Sequence, residues 1–223
     1  MNTSALRTSS RSMSMLHATP IVFVVDDDPS VREALESLII QAGWRAVVFA
    51  SAQDFLEHPR ALVPSCLILD VTLPGLNGLE LQSLIASDRI DMPIIFITGH
   101  ADVPMTVKAM KAGAVEFLTK PVPEEVLITA IDSAISRSRV TLEQENEMHM
   151  LRGRYAKLTP REREVMTLVV RGLLNKQVGG ELGMAEITVK AHRGQVMRKM
   201  NAASFADLVN MAARLGFAPP SKR

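Results

Sequence analysis

The sequence predicts a doubly wound α/β domain built on a five-stranded parallel sheet, followed by an all-α domain of four helices. Between residues 21 and 135, short apolar runs alternate five times with amphipathic segments, and after Lys120-Pro121 every remaining pattern is helical. The charge divides along the same line. A net charge of +1 conceals about −9 over residues 21–135 and about +6 over residues 158–223.

The five expected strands are residues 21–25, 46–49, 66–69, 94–97 and 115–118, each short, apolar and bounded by turn signals. The first helix follows Asp28-Pro29, a cap residue before a proline. Val31, Ala34, Leu35, Leu38 and Ile39 recur in it at helical spacing, and Gly43 closes it. Ser51 opens the second helix, the third covers 79–85, the fourth covers 103–110 before Gly113, and the fifth covers 126–135. Strictly alternating strands and helices require parallel strands with helices on both faces, and ligands of such sheets bind beyond the carboxyl ends of the strands.

Residues 124–154 read as one long helix whose apolar stripe thins into the polar run 143–147. Thr159-Pro160-Arg161-Glu162 is a capping box with proline at the first helical position, so a new helix begins there and ends at Gly172. Its apolar face is Val165, Leu168 and Val169. Helices over 175–182, 185–200 and 204–215 complete the chain, the first two joined through Gly183 in a helix-turn-helix arrangement. The expected organisation is a disordered tail (1–20), the α/β domain (21–135), a helical linker (136–157), the helix-turn-helix domain (158–216) and a short tail (217–223).

With 47% apolar residues, the 223-residue chain can build packed cores. One cysteine, Cys66, forbids an intramolecular disulfide and suits a reducing compartment, so a cytoplasmic protein is expected. Arg7 and Arg11 precede no continuous apolar stretch before Pro20, so no secretory signal is expected, and no apolar run approaches a membrane span.

Chemistry concentrates at the strand ends. The first strand runs into Asp26-Asp27-Asp28 and the third into Asp70, which clusters carboxylates at one edge of the sheet. Like charges at close quarters favour a neutralising cation, and oxygen-only ligation suits Mg²⁺. Asp28, next to Pro29, reads as the helix cap. Thr98 ends the fourth strand, and Lys120-Pro121 follows the fifth.

The segments Val25-Asp26-Asp27, Leu69-Asp70, Phe96-Ile97-Thr98-Gly99 and Phe117-Leu118-Thr119-Lys120-Pro121 together resemble the receiver domain of two-component response regulators, over residues 21–135. That resemblance implies a flavodoxin-like fold in which Asp70 accepts a phosphoryl group from a sensor histidine kinase. Asp26 and Asp27 would hold Mg²⁺ with Asp70 and the backbone carbonyl of Thr72. A carboxylate can act as the nucleophile, with Mg²⁺, the Lys120 ammonium and the Thr98 hydroxyl stabilising the transferring oxygens. The resemblance further implies a cis peptide before Pro121, a switch pairing Thr98 with the ring of Phe117, and control of phosphate lifetime by Thr72 and His100.

Leu158-Thr159-Pro160-Arg161-Glu162-Arg163-Glu164-Val165, Asn175-Lys176 and Thr188-Val189-Lys190-Ala191-His192 resemble the LuxR-type helix-turn-helix, and with the receiver in front the chain is similar to the FixJ subgroup. The helix from Ala185 mixes apolar Ile187, Val189, Val196 and Met200, expected to face the domain, with polar and basic residues expected to face a major groove. The expected DNA contacts are Asn175, Lys176, Thr188, Val189, Lys190, His192, Arg193 and Lys199. Ala185 stands where a capping Ser or Thr is usual, a loss of about 1 kcal/mol. Gly179 and Gly180 each cost about 1 kcal/mol in a helix, so a marginally stable domain is expected. Ala191 and Gly194 offer no side-chain hydrogen bonds to bases.

The function implied is a phosphorylation-dependent transcriptional regulator whose partners are DNA, a sensor histidine kinase, a second copy of itself when phosphorylated, and RNA polymerase. It is not an enzyme beyond its own phosphorylation and slow dephosphorylation. Two alternatives differ in what they predict. A protein-binding module with a phosphate-sink receiver would lack salt-dependent DNA affinity, and a Mg²⁺-dependent phosphohydrolase would turn over external phosphate esters.

Overall fold

A computed structural model describes residues 18–59, 63–88 and 92–217. Most of the two expected tails, residues 1–17 and 218–223, lies outside the described residues. The chain forms two compact units, residues 1–144 and 145–223.

The first unit alternates β1 (Ile21–Val25), α1 (Pro29–Gln41), β2 (Arg45–Phe49), α2 (Ala52–Glu57), β3 (Ser65–Asp70), α3 (Gly78–Asp88), β4 (Ile94–Thr98), α4 (Val103–Lys111) and β5 (Glu116–Thr119) before α5 (Glu124–Ala156). All neighbouring strands pair in parallel, in the order β2-β1-β3-β4-β5. Each face of the sheet has its own core. Phe23, Val25, Leu67, Leu69 and Phe96 pack on one side with Phe55 and Leu81. Val22, Val24, Cys66, Ile68 and Ile95 pack on the other with Ile39, Leu127 and Ile131. Burial on both faces is why these strands read as unbroken apolar runs rather than alternating ones.

Local chemistry sets the helix starts. Asp28 caps α1, accepting from the Ser30 amide, with Pro29 in the first turn; Asp102 caps α4 in the same way. Observed strand limits differ from expectation by one residue: β3 and β4 each extend to include the polar residue at their carboxyl end, Asp70 and Thr98. β5 runs Glu116–Thr119 because its ladder partners are Ile95–Thr98.

The segment 136–157, expected as a linker, contributes side chains to both units. Ser138 is buried and its hydroxyl accepts from the Ser65 amide at 3.1 Å, whereas Leu151 belongs to the core of the second unit. The polar run 143–147 stays helical throughout. Among the described residues, no helix is long and apolar enough to cross a membrane.

In the second unit, α6 (Pro160–Val170), α7 (Asn175–Leu182), α8 (Glu186–Met200) and α9 (Phe205–Arg214) enclose Val165, Met166, Val169, Val178, Val189, Val196, Met200 and Leu208. The capping box closes reciprocally. The Thr159 amide donates to Glu162 at 2.7 Å, and the Glu162 amide donates to the Thr159 hydroxyl at 3.3 Å. Gly183, at φ +65°, turns the chain between α7 and α8.

The expectation that both helix glycines weaken this unit is corrected at Gly179. It is buried, and a Cβ there would stand 2.6 Å from the Met184 carbonyl oxygen, so the tight α7–α8 turn requires glycine. Gly180 has open space around it, and the propensity argument holds there. Ala185 caps α8 with no side-chain hydrogen bond, as its methyl group dictates.

Candidate functional site

The strand order reverses between β1 and β3, since β2 lies on one side of β1 and the later strands on the other. At such a reversal the loops beyond the carboxyl ends part and leave a crevice. Asp26 directly follows β1, and Asp70 ends β3. Both are buried, whereas Asp27 is exposed. One carboxylate oxygen from each of Asp26, Asp27 and Asp70 falls within 4.8 Å of the others.

Lys120 closes this cluster from the other side. Its ammonium donates to Asp26 Oδ2 at 2.7 Å and to Asp70 Oδ2 at 2.6 Å. Backbone geometry delivers it there: the Lys120 amide donates to the Thr98 carbonyl at 2.8 Å, and the following Lys120–Pro121 peptide is cis. The remaining carboxylate oxygens are also fixed. Asp26 Oδ1 accepts from the Asp28 amide at 3.0 Å, and Asp70 Oδ1 from the Thr72 amide at 2.9 Å.

Burial pushes the Asp26 carboxyl above the usual carboxylate range, although the Lys120 ammonium and the Asp28 amide oppose it. Partial burial alone would lower the Lys120 ammonium. Its bonds to Asp26 and Asp70 and their charges outweigh that, and it titrates above its ordinary value. Three carboxylates against one ammonium leave an excess of negative charge in an oxygen-only cluster, an arrangement consistent with divalent metal binding.

Thr98 is fully buried, and its hydroxyl is engaged with its own loop. It donates to the His100 carbonyl at 3.1 Å and accepts from the His100 amide at 3.3 Å rather than bonding Asp70. Phe117 is half-buried, its ring centroid 5.9 Å from that of Phe96. Thr72 and His100 are exposed beside the pocket.

Two residues of this site escape sequence reading. Arg32 in α1 donates to the Asp26 carbonyl at 2.7 Å, fixing the backbone of a buried acid. Gly78 donates its amide to the Val71 carbonyl at 3.0 Å, and a Cβ on it would overlap the Asp70 carbonyl oxygen. The Asn77-Gly78 pair signals a turn, but no spacing rule in the sequence reveals that contact.

The second unit sorts the expected DNA contacts into three groups. Lys176, Thr188 and Lys190 are exposed, and His192 is half-buried. Asn175, Arg193 and Lys199 are committed within the unit. Arg193 donates to Asn175 Oδ1 at 3.2 Å while lying 4.6 Å from the Phe205 ring centroid. Lys199 pairs with buried Glu162 at 2.7 Å. Burial alone would raise the Glu162 carboxyl, but the Lys199 ammonium and the Thr159 amide outweigh it and hold it below the usual range.

Val189 corrects the expectation outright: it is wholly buried in the core and has no surface to offer DNA. Ile187, expected inside, is 72% exposed. The cause is helical phase. Val189, Val196 and Met200, spaced by seven and four, define the inner face of α8, and a residue two before Val189 falls on the other side.

The chain matches known families over both units. Residues 22–132 match the response regulator receiver domain, and residues 156–212 match the bacterial regulatory proteins of the luxR family. Nodulation protein W of Bradyrhizobium diazoefficiens is 51% identical over 88% of this chain and 86% of its own. The transcriptional regulatory protein FixJ of the same organism is 39% identical over 87% of this chain and 95% of its own. Among solved structures, the response regulator StyR is similar with a TM-score of 0.80 and 46% identity, covering 88% of this chain and all (100%) of that one.

Proposed function

The chain belongs to the response regulators that join a receiver domain to a LuxR-type DNA-binding domain, and from that premise we propose that phosphoryl transfer to Asp70 controls DNA binding and transcription. The observation that carries this reading is the Lys120 ammonium held against Asp70 and Asp26 beside the exposed Asp27 carboxylate.

In this reading an Asp70 carboxylate oxygen attacks the phosphorus of a sensor kinase's phosphohistidine. The P–N bond breaks, and the imidazole leaves carrying a proton. Asp26, Asp27, Asp70 and the Thr72 carbonyl would hold Mg²⁺, which when bound would neutralise charge on the phosphoryl oxygens. Lys120 releases one of its two carboxylate bonds to meet the incoming oxygens. Asp26, held by Arg32 and the Asp28 amide, keeps its place through the transfer. Thr72 and His100 flank the acylphosphate and set the access of attacking water.

Phosphorylation then draws the Thr98 hydroxyl away from His100, and Phe117 follows into the space left. The response is dimerisation. Val103, Val107 and Met110, spaced by four and three on α4 and all exposed, supply an apolar stripe for a second copy. In the second unit Lys176, Thr188, Lys190 and His192 meet DNA, and Arg193 orients Asn175 toward phosphate. The protein acts in the cytoplasm, where kinase, DNA and RNA polymerase are all available, and catalyses nothing beyond its own phosphorylation and dephosphorylation.

Intact-mass measurement after acetyl phosphate and Mg²⁺ treatment, with wild type and Asp70→Asn, tests the acceptor. One phosphoryl group on wild type and none on the variant is expected. DNA affinity of both proteins, with and without the phosphodonor, tests the switch; equal affinity in all four conditions refutes it.

A further inference from the structure

The outward line of α8 is apolar where a base-reading helix is usually polar. Ile187, Ala191, Gly194 and Arg198 are spaced by four, three and four, all are exposed, and all lie opposite the buried Val189, Val196 and Met200. Of these only Arg198, near the carboxyl end, can donate a hydrogen bond. At the amino-terminal end, where helices of this arrangement reach base edges, Ile187 is a large apolar side chain left 72% exposed.

Ile187 belongs neither to the core of the second unit nor to the partly buried side chains packed against it among the described residues. Glu186 precedes it in the first turn of α8, Lys190 lies three residues on along the same helix, and Lys176 is exposed in the first turn of α7. The net charge of about +6 over residues 158–223 suits a polyanion and weighs against a purely apolar protein partner for this face. Within a major groove, the one apolar group a base pair presents is the 5-methyl of thymine. Ala191 and Gly194, neither projecting beyond a methyl group, allow the helix to approach the groove floor closely; a Cβ at Gly194 would meet nothing within 4 Å.

We infer that Ile187 is a specificity-determining residue that reads a thymine 5-methyl group in each half-site, with Ala191 beside it. This rests on the DNA-binding reading above. Lys190 and Lys176 then supply affinity through phosphate, and Ile187 supplies sequence preference. Ala191 and Gly194 cannot hydrogen-bond to bases, and the exposed Ile187 provides a route to readout that needs no hydrogen bond.

The test uses the full chain with acetyl phosphate and Mg²⁺. Duplexes are first selected from a random pool by the wild-type protein, and each thymine of the selected site is then replaced singly by uracil, which removes only the methyl. For wild type, one uracil position per half-site should weaken binding about fourfold, the worth of one buried methyl group. Ile187→Ala should bind the thymine and uracil duplexes equally at that position, and Ile187→Val should keep the discrimination. An exposed side chain makes both variants safe for folding. Insensitivity of wild type to every uracil, or unchanged discrimination by Ile187→Ala, overturns the assignment while leaving DNA binding intact. Failure of wild type to bind any duplex with salt-dependent affinity overturns both.

Discussion

Lys120 holds Asp70 at 2.6 Å across the mouth of the first unit while also holding Asp26 at 2.7 Å. Lys120→Met removes the ammonium that both carboxylates share and, with it, the positive charge proposed to meet the transferring phosphoryl group. Uptake of phosphate from acetyl phosphate should slow by on the order of 10- to 100-fold, corresponding to about 1.4–2.7 kcal/mol of lost transition-state stabilisation. A time course by intact mass measures it, and an unchanged initial rate would remove Lys120 from the transfer step.

Divalent cation should stabilise the first unit. Ligand binding to the folded state alone adds about 2.7 kcal/mol at 100 times its Kd, so thermal unfolding of wild type should move upward on Mg²⁺ titration. Asp26→Asn and Asp27→Asn should blunt the shift, and chelation should abolish phosphoryl uptake by wild type. A shift of equal size in Asp27→Asn would show that the cation binds elsewhere.

Glu162 links the stability of the second unit to pH. Its folded-state carboxyl lies below its ordinary value of 4.5, because the Lys199 ammonium and the Thr159 amide outweigh burial. A depressed folded value means the unfolded chain binds the proton more readily. The stabilisation is therefore fully present above the ordinary value and is lost as pH falls through the folded one. Chemical unfolding at neutral pH and at pH steps through the carboxylate range should show this loss in wild type and a flatter profile in Glu162→Gln. Identical profiles would assign the acid sensitivity to other groups.

The two adjacent glycines of α7 should respond oppositely to alanine. Gly179→Ala forces a methyl against the Met184 carbonyl and should destabilise, by about 1–3 kcal/mol as for other overpacked sites. Gly180→Ala has room and should stabilise by up to about 1 kcal/mol. Denaturant midpoints decide between them, and stabilisation by both would mean that the α7–α8 turn does not need the close approach.

How far the fold and site were legible depended on whether the deciding interaction was local. The three central strands could be read because each is buried on both faces, and Asp26, Asp70 and Thr98 could be read because a polar residue at the end of such a run has one place to go. Asp28 and the Thr159–Glu162 box act over two or three residues and were equally plain. Arg32 and Gly78 act through contacts with Asp26 and Asp70 that only the folded chain creates. Ile187 lies outside and Val189 loses its expected DNA contact because apolar character does not set helical phase; the spacing to Val196 and Met200 does. Gly179 looked like a weakness because propensity registers what glycine lacks and is blind to a carbonyl oxygen approaching from the next turn.

The doubly bonded Thr98 hydroxyl also bears on how quiet the resting protein is. Its partners, the amide and carbonyl of His100, are satisfied without phosphate. On the proposed switching route, leaving them forfeits two hydrogen bonds of about 0.5–1.5 kcal/mol each, a gap of about 1–3 kcal/mol. A two-state element with that gap spends about 1–15% of its time in the signalling form with no signal present. On that proposed route, one threonine sets the basal transcription of cells without the kinase. Thr98→Ala, which removes the hydroxyl from both forms, should change the basal output of an Asp70→Asn strain; an unaltered basal output would locate the latch elsewhere.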